Sequence, residues 1–392
     1  SLVFKLLALF YASELLMNLK KIGVLAVVLL MFPQLAQTLY SPALGDIGRA
    51  FAVGPERAGQ TLSVYFLAFA FGVVVWGRLC DRWGRRPVML AGLALYIGAT
   101  ALALGVSTFN ALLLAQALAA FGAAVGSVAT QTILRDRFHG AQLAQVFSIM
   151  GVALAASPAL GLFSGATLVQ HFGYRGMLTG LLLLALALWG WCVWALPETR
   201  PVSLPTASLL ETLNLMLRDA AIWRSVGLVA AFNIALFGYY SVGPFIFSQL
   251  GLSAAEFGYS GVLLALGSGL GAWLNKRLLN RGMNGDQLVL TAAGLAVLGG
   301  LLVLLLQDSW LFVGPMLLVV LAFGMAIPNV LGAALVRYAD RLGSAAAVFG
   351  LLYYLVIGAG LTLVAWAQNL GWSLLICGVA ALWMATPRVF RS

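Results

Sequence analysis

The side chains that could carry protons in this sequence are twelve acidic residues and two histidines, and all of them lie in loops or at the ends of long apolar segments. An ionisable residue inside a membrane segment would be a functional candidate by default. Since none is found there, the proton-coupling candidates are the carboxylates nearest to a segment, which are Asp46, Asp81, Asp136 and Glu256. A solvated loop charge is the alternative for each.

Neutral polar side chains recur at helical spacing on several apolar segments. Gln34, Gln37, Thr38 and Ser41 follow one another at three- and four-residue steps, which places them on one helix face. A polar stripe should not face lipid, so it predicts either the lining of a cavity or hydrogen bonds between helices. The other polar candidates for the cavity lining are Gln116, Gln131, Asn233 and Asn329.

Aromatic side chains could bind an apolar compound by stacking. The aromatic candidates for the cavity lining are Tyr65, Phe69, Phe237, Tyr240 and Tyr353, with Phe66 and Tyr354 beside them. Packing within the protein, or contact with lipid, is the alternative for each ring. A cavity without fixed charge favours amphipathic, apolar or neutral-polar compounds over ions.

Catalytic chemistry has little support in the sequence. The Cys, His and acidic residues show no metal-ligand spacing, and the G-x-x-x-x-G-K-[ST] phosphate loop is absent. No metal and no cofactor are therefore expected, and a membrane enzyme remains a remote alternative. The net charge of +10 is assigned to short loops between apolar segments, so no nucleic-acid partner is expected.

The elements that must position these residues are membrane helices. Apolar residues make up 62% of the chain and charged residues 9%, with a mean hydropathy of +1.01, whereas a soluble domain has about a quarter of its residues charged. Long apolar runs favour helices over a barrel of short alternating strands. Spans of about twenty residues are predicted near 22–44, 57–77, 87–106, 109–134, 142–169, 174–196, 224–249, 256–275, 287–306, 309–336, 343–367 and 371–387.

The distribution of cations predicts how these spans are oriented. With the N-terminus inside, 18 of the 22 Lys and Arg residues fall in cytoplasmic segments. Three fall on the opposite side, Arg49, Arg57 and Arg175, and Lys5 is set aside. Cytoplasmic loops carry an excess of cations, so the asymmetry predicts an even number of spans and cytoplasmic N- and C-termini.

The predicted fold is an all-α membrane protein of twelve transmembrane helices in two pseudo-symmetric six-helix bundles. Residues 17–196 form the N-terminal bundle, 197–223 a cytoplasmic linker and 224–392 the C-terminal bundle. Residues 1–16 are expected to be a leader or added residues, because Met17-Asn18-Leu19-Lys20-Lys21 resembles a natural start.

One loop, with the sequence GRLCDRWGRRP from Gly77 to Pro87, combines glycines, an acid and cations in an ordered spacing. Gly77 predicts a close approach of helices and Gly84 a tight turn. Asp81 is expected to pair with Arg85 or to lie at a helix N-terminus, where the dipole favours an anion. A plain cationic loop is the alternative. A weaker echo, GAWLNKR, follows the eighth span 194 residues later and indicates duplication.

This loop resembles the signature of the major facilitator superfamily, G-x-L-x-D-R-x-G-R-[RK]-x. The resemblance implies that the loop gates the conformational change through Gly77, Asp81, Arg82, Gly84, Arg85 and Arg86. Four further stretches resemble the Bcr/CflA group of the drug:H+ antiporter branch, namely Gln34–Leu44, Thr132–Asp136, Ser157–Pro158 and Leu196–Pro201.

The resemblance implies a secondary transporter that works by alternating access and expels drug-like compounds in exchange for protons. It also implies a multi-pass monomer in the bacterial inner membrane, whose partners are the lipid bilayer, a small-molecule substrate and protons. An exporter or importer of one metabolite, such as a siderophore or a nucleoside, is the alternative.

Three positions depart from the pattern of the resembling exporters. Gln37 stands where they often carry Asp, and Gln116 stands where they usually carry Arg. Gly161 is followed by Leu162 where the fifth span normally has Gly-Pro. These departures concern the coupling chemistry more than the fold.

Overall fold

The computed structural model describes residues 22–138, 140–200 and 208–386. The predicted leader at 1–16 and the linker stretch 201–207 lie outside the described residues, as do four of the cations assigned to the cytoplasmic side. All regular secondary structure within the described residues is helical. The architecture is therefore defined by where each helix begins and ends.

The first half contains six crossing helices, of which the last two form one hairpin. The run Gly140–Ala195 reverses direction at Gly173, whose φ of 67° is a left-handed conformation that glycine adopts without strain. Leu168 packs onto Gly180 across this reversal. The helices are α1 (Ile22–Ala50), α2 (Pro55–Trp83), α3 (Arg85–Gly105), α4 (Phe109–Arg137), α5 (140–172) and α6 (174–195).

The second half also contains six crossing helices, preceded by a short helix, Leu209–Leu217, which we call the linker helix. Short 3-10 turns, Trp310–Phe312 and Val336–Arg341, precede two of the six. The helices are α7 (Ala220–Gln249), α8 (Ala254–Leu279), α9 (Gly285–Leu306), α10 (Val313–Ala334), α11 (Leu342–Ala367) and α12 (Leu370–Ala385).

Side-chain caps explain where several helices begin. The Thr108 hydroxyl accepts a hydrogen bond from the Ala111 N–H at the start of α4. At the start of α8, Ser253 and Glu256 form a reciprocal capping box, and Asn284 and Gln287 do the same for α9. Such caps satisfy N–H groups that have no partner within the helix.

The prediction of twelve spans is confirmed. Ten helices in the described part of the chain are long and apolar enough to cross a membrane. One of these ten belongs to the α5–α6 hairpin and therefore supplies two crossings, and the shorter α12 is the twelfth. Predicted boundaries differ most for α1 and α2, each of which continues six residues beyond its predicted end, to Ala50 and Trp83. In α1 the added residues belong to an amphipathic segment, Tyr40–Ala50, that carries Asp46 and Arg49.

Small residues determine how closely the helices pack. A Cβ added at Gly271 of α8 would overlap the Leu321 carbonyl of α10, so these helices touch backbone to backbone. Gly77 was predicted to allow such a close approach of helices. A Cβ there would lie 3.5 Å from a Val128 methyl group, which is an ordinary contact, and the close approach occurs instead at Gly72.

Candidate functional site

Aromatic rings form a continuous cluster where α2, α7 and α11 meet between the two halves. We call this set the aromatic bridge. Its rings are Tyr65, Phe66 and Phe69 from α2, Phe237 and Tyr240 from α7, and Phe349, Tyr353 and Tyr354 from α11. Every ring in this set is apolar or a neutral phenol.

Three ring contacts of the aromatic bridge join the two halves directly. Phe66 contacts Phe237 edge to face with centroids 4.7 Å apart, and it stacks on Tyr354 at 6.0 Å. Phe69 contacts the same Tyr354 edge to face at 4.9 Å. Offset and edge-to-face pairs contribute about 0.5–1.5 kcal/mol each beyond the area they bury. The bridge is therefore a contact between halves that stacking on an apolar compound could replace.

The aromatic bridge brings together five of the cavity candidates predicted from the sequence. They are Tyr65, Phe69, Phe237, Tyr240 and Tyr353. The Tyr65 hydroxyl donates to the Pro33 carbonyl of α1 at 2.6 Å, which ties the α2 part of the bridge to α1.

The predicted polar stripe of α1 is divided between two neighbours. Thr38 packs against α5, where a Cβ added at Gly161 would overlap its hydroxyl, and this hydroxyl donates to the Gln34 carbonyl at 2.8 Å. Ser41 faces the other half and donates to the Tyr240 carbonyl of α7. Gln37 is buried, and its side-chain N–H2 group has no hydrogen-bond partner among the described residues.

The polar candidates on the other helices lie apart from the aromatic bridge or bond locally. Gln131 donates to the Ser127 hydroxyl at 3.3 Å within α4, and Asn233 donates to the Val229 carbonyl at 2.8 Å within α7. Gln116 is buried with an amide N–H2 that has no partner in the described part of the chain.

Asn329 forms the interhelical hydrogen bond that was the alternative to a cavity lining. Its side-chain amide donates to the Asn275 side-chain oxygen at 2.7 Å and to the Met325 carbonyl at 2.8 Å. This bond joins α10 to α8 inside the second half. The two duplicated loops are 194 residues apart, so Asn275 corresponds to Asp81. The second half therefore has a neutral amide pair at the position where the first half has a charged residue.

The two halves also meet at the end of the bundle away from the linker helix. Here Gln60 donates to the Thr362 carbonyl at 3.4 Å, and a Cβ added at Gly59 would lie 2.9 Å from the Ala365 side chain. On the other side of the same end, Gly258 of α8 packs on Ala166 of α5. We call these contacts, together with the bond from Ser41 to Tyr240, the distal seal.

At the linker end of the first half, Arg85 is fully buried among acceptors. Its guanidinium donates to Asp136 at 2.8 and 3.5 Å and to the Cys80 carbonyl at 3.0 Å. Asp81, the partner expected from the sequence, is the more distant carboxylate at 3.7 Å. A buried charge needs such pairing, so Asp136 at the end of α4 fixes the start of α3.

The anion at the N-terminus of α3 is Glu198, not Asp81. The Glu198 carboxylate accepts backbone N–H bonds from Arg85 at 2.9 Å and Arg86 at 3.2 Å, and also from Thr199 and Arg200. Partial burial raises the pKa of this carboxyl, but these four donors outweigh the burial and hold the pKa below its ordinary value. Glu198 therefore clamps the end of α6 to the start of α3.

Gly84 makes room for this clamp. Its φ of 102° is a left-handed conformation, and an added Cβ would overlap the Glu198 carboxylate. The tight turn predicted at Gly84 is present. The sequence did not indicate the role of Glu198, although its stretch, Leu196–Pro201, was among those that resembled a known group.

A similar arrangement lies at the distal end. The Tyr174 N–H at the start of α6 donates to the Asp46 carboxylate at 2.7 Å, directly after the left-handed Gly173. Asp46 also pairs with Arg49 at 3.3 Å. Asp46 ends α1 and holds α6, just as Asp136 ends α4 and holds α3, which is the relation expected for inverted three-helix repeats.

The four proton-coupling candidates thus lie at helix ends. Asp81 and Asp136 share Arg85 at the linker end, and Asp46 and Glu256 lie at the distal end. Glu256 accepts from the Ser253 N–H at 2.6 Å as part of its capping box. Asp46, Asp81 and Asp136 each pair with an arginine, and the distance is longest for Asp81, at 3.7 Å. No group of three His, Cys, Asp or Glu residues within the described ranges is arranged to hold a metal ion.

Comparison with known proteins gives consistent similarities. The Major Facilitator Superfamily model matches residues 26–361. An uncharacterized transporter of Rickettsia bellii (strain RML369-C) is 31% identical over 347 residues, 83% of this chain and 84% of that protein. Multidrug resistance protein D of Escherichia coli (strain K12) is 28% identical over 337 residues, 83% of each chain.

Among solved structures, the crystal structure of a D-xylose-proton symporter superposes with a TM-score of 0.75. The superposition covers 94% of this chain and 97% of that one. The sequence identity is 16%, so this likeness concerns the fold alone.

Proposed function

The chain belongs to the Major Facilitator Superfamily, and from this premise we propose that it exports amphipathic or neutral drug-like compounds in exchange for protons. It is a multi-pass inner-membrane transporter, and its resemblance to the drug:H+ antiporter branch is confirmed by relatives such as multidrug resistance protein D. What we propose beyond the family is the substrate class, the direction of transport and the coupling to protons.

The observation that carries the proposal is the aromatic bridge. Phe66, Phe237 and Tyr354 come from both halves and meet ring to ring, with no charged side chain in the cluster. An apolar or amphipathic compound can replace such ring contacts with contacts to its own surface, and aromatic surfaces accept many shapes. A strongly ionic substrate would lose its hydration there without gaining a counter-ion.

Alternating access would proceed by separation of the distal seal. Its contacts are single hydrogen bonds and packing of small residues, such as Gly59 on Ala365 and Gly258 on Ala166. The charged contacts at the other end, such as Arg85 with Asp136 and Arg341 with Glu211, each lie within one half or its linker helix. Each half can therefore move as a unit while the distal seal opens and closes.

The cation distribution supports an orientation with the linker helix in the cytoplasm. Arg49, Arg57 and Arg175 lie at the distal end, since Arg49 pairs beside Tyr174 and Arg57 donates to Asn110 at 2.8 Å. In this orientation the distal seal closes the outer side of the membrane.

For proton coupling we propose a carboxylate at a helix end, with Asp81 first. Its oxygen is 3.7 Å from Arg85 and its side chain is 35% exposed, whereas Asp136 is 2.8 Å from the same arginine and 14% exposed. The looser and more exposed acid can exchange a proton with less disruption of the loop. Asp46 and Glu256 are weaker candidates for the proton carrier, because each accepts a backbone N–H bond at the start of a helix.

Transport of one metabolite is the second candidate, and one observation favours it. Gln37 and Gln116 are buried, and their amide N–H2 groups lack a partner among the described residues. A site with such donors would prefer a compound with matching acceptors over analogues that lack them.

Counterflow in proteoliposomes with a radiolabelled panel separates the two candidates. The panel contains planar aromatic antibiotics, neutral amphipathic compounds, nucleosides and siderophores. Multidrug export predicts saturable exchange of several unrelated apolar classes, which decreases together when Tyr354 is replaced by Ala. Exchange confined to one hydrogen-bonding class, and abolished in Gln37→Leu, would contradict the multidrug proposal and favour the metabolite.

A further inference from the structure

The end of α8 nearest the linker helix carries a group of exposed cations beside a tryptophan. Trp273, Lys276, Arg277, Asn280 and Arg281 line a shallow surface cavity of about 470 Å3. Trp273, Lys276 and Arg277 lie on one face of α8 by their spacing of three and four residues, and Asn280 and Arg281 follow directly after the helix ends at Leu279. We propose that this cavity binds the phosphate headgroup of an anionic phospholipid.

The cations of this cavity lack local neutralisation. In the parts of the chain that the structure describes, no carboxylate oxygen lies within 4.0 Å of Lys276, Arg277 or Arg281. At the same end of the bundle, Arg224 pairs with Asp286 at 3.2 Å and Arg341 with Glu211 at 3.0 Å. These three cations are therefore available to pair with an external anion.

The duplicated loop of the first half shows why the charge is unbalanced here. There, Asp81 and Asp136 surround Arg85. In the second half the residue corresponding to Asp81 is Asn275, which bonds to Asn329 and contributes no negative charge. The second-half loop thus carries three cations, Lys276, Arg277 and Arg281, and an amide at the position where the first half has the acid Asp81.

An apolar stripe leads along α8 to these cations. Tyr259, Leu263, Leu266, Leu270 and Trp273 follow one another at alternating four- and three-residue steps, and each is about half exposed or more. The Arg277 guanidinium lies 5.2 Å from the centre of the Trp273 ring. Tryptophan marks the membrane interface, so an acyl chain can lie on the stripe while its headgroup reaches Arg277.

The ligand is therefore amphiphilic and anionic at its head, which favours a phospholipid over a soluble phosphate. Each Lys or Arg near an anionic membrane surface contributes about 1 kcal/mol, which corresponds to roughly fivefold in affinity. Loss of all three cations should reduce the preference for anionic over zwitterionic lipid by at least about tenfold.

Native mass spectrometry of the intact protein, in detergent with equal amounts of phosphatidylglycerol and phosphatidylcholine, tests the site. The test variant combines Lys276→Gln, Arg277→Gln and Arg281→Gln. The control variant changes the same number of charges at the distal end, Arg49→Gln, Arg57→Gln and Arg175→Gln. Thermal unfolding checks that both variants remain folded.

The wild type and the control should retain phosphatidylglycerol preferentially, and the α8 variant should lose this preference. Equal retention of the two lipids by the wild type, or an unchanged preference in the α8 variant, would overturn the proposal. A third arm adds millimolar inorganic phosphate to delipidated protein. Thermal stabilisation by phosphate that disappears in the α8 variant, without any lipid preference, would identify a soluble-anion site and also overturn the lipid assignment.

Discussion

Replacing Phe66 with leucine should weaken the contact between the halves and increase the opening of the distal end. Leucine retains much of the buried volume but removes the ring contacts to Phe237 at 4.7 Å and to Tyr354 at 6.0 Å. Two ring pairs of about 0.5–1.5 kcal/mol each amount to about 1–3 kcal/mol. If the bridge forms only while the distal seal is closed, the open population should rise roughly 5- to 140-fold.

The assay is labelling of a cysteine placed in the distal seal at Thr362, whose carbonyl accepts from Gln60. A membrane-impermeant maleimide is applied from the distal side of oriented vesicles, in a protein whose three native cysteines are replaced by serine. The initial labelling rate reports the fraction of time that the seal is open.

The matched control is Phe71→Leu, because Phe71 lies on the same helix and is 55% exposed. It should leave the labelling rate unchanged, since its ring faces away from the other half. An unchanged rate in Phe66→Leu, or an equal increase in both variants, would refute the reasoning that the aromatic bridge couples the halves.

Other variants test the charge clusters. Glu198→Ala should lower the unfolding free energy by about 0.5–2 kcal/mol, as for loss of a helix cap, in denaturant titrations of detergent-solubilised protein. Because the pKa of Glu198 is lowered in the folded state, its contribution is complete above the unfolded pKa and is lost as the pH falls through the folded pKa. Acidification should therefore destabilise the wild type more than this variant, and equal losses would contradict the clamp. Gly84→Ala should cost about 1–3 kcal/mol from backbone strain alone, and in the Glu198→Ala background it should remain destabilising because the φ of 102° persists. Asp136→Ala should cost about 3–5 kcal/mol because it leaves Arg85 buried without its nearest partner. Asp81→Asn should change stability by less than about 1 kcal/mol and impair transport while substrate binding persists, and lost binding with an intact fold would mean that the loop has another role.

The helices could be predicted because membrane spans depend on local properties. Long apolar runs, interrupted by cations and glycines, determine the number of crossings, and the caps at Thr108 and Ser253 lie beside them in the sequence. The α5–α6 hairpin was predicted as two spans with a break near its true reversal at Gly173. Its near-continuous helical backbone could not be predicted, since one glycine conformation distinguishes a hairpin from a longer loop.

The sequence identified rings of the aromatic bridge by residue type, but not the contacts between them. Tyr65, Phe69 and Phe237 were named as candidates because aromatic residues are visible in the sequence, and the structure places all three in the bridge. Which rings meet across the halves depends on how α2, α7 and α11 are placed, and the sequence does not contain that information locally. The same limit applies to Glu198, which is 113 residues from Arg85 in the chain and bonds to its backbone.

For the polar candidates, too, the sequence does not reveal the hydrogen-bond partner. Asn329 was a reasonable cavity candidate by residue type, but its partner Asn275 is 54 residues away on α8 and satisfies it inside the second half. Gln37 was predicted as part of the polar stripe of α1 and Gln116 as a polar cavity candidate, and both depart from the charged pattern of the resembling exporters. Their buried amides without described partners make them the polar positions most worth changing.

Transport against an imposed proton gradient tests the central claim most directly. Purified protein in liposomes, oriented with the linker helix outside, is given a neutral aromatic antibiotic and an acidic interior, while an internal pH dye records proton movement. We expect the compound to accumulate inside as protons leave, and both movements to decrease in Asp81→Asn. Accumulation that is unaffected by collapse of the gradient, or transport without any pH change, would contradict proton-driven export.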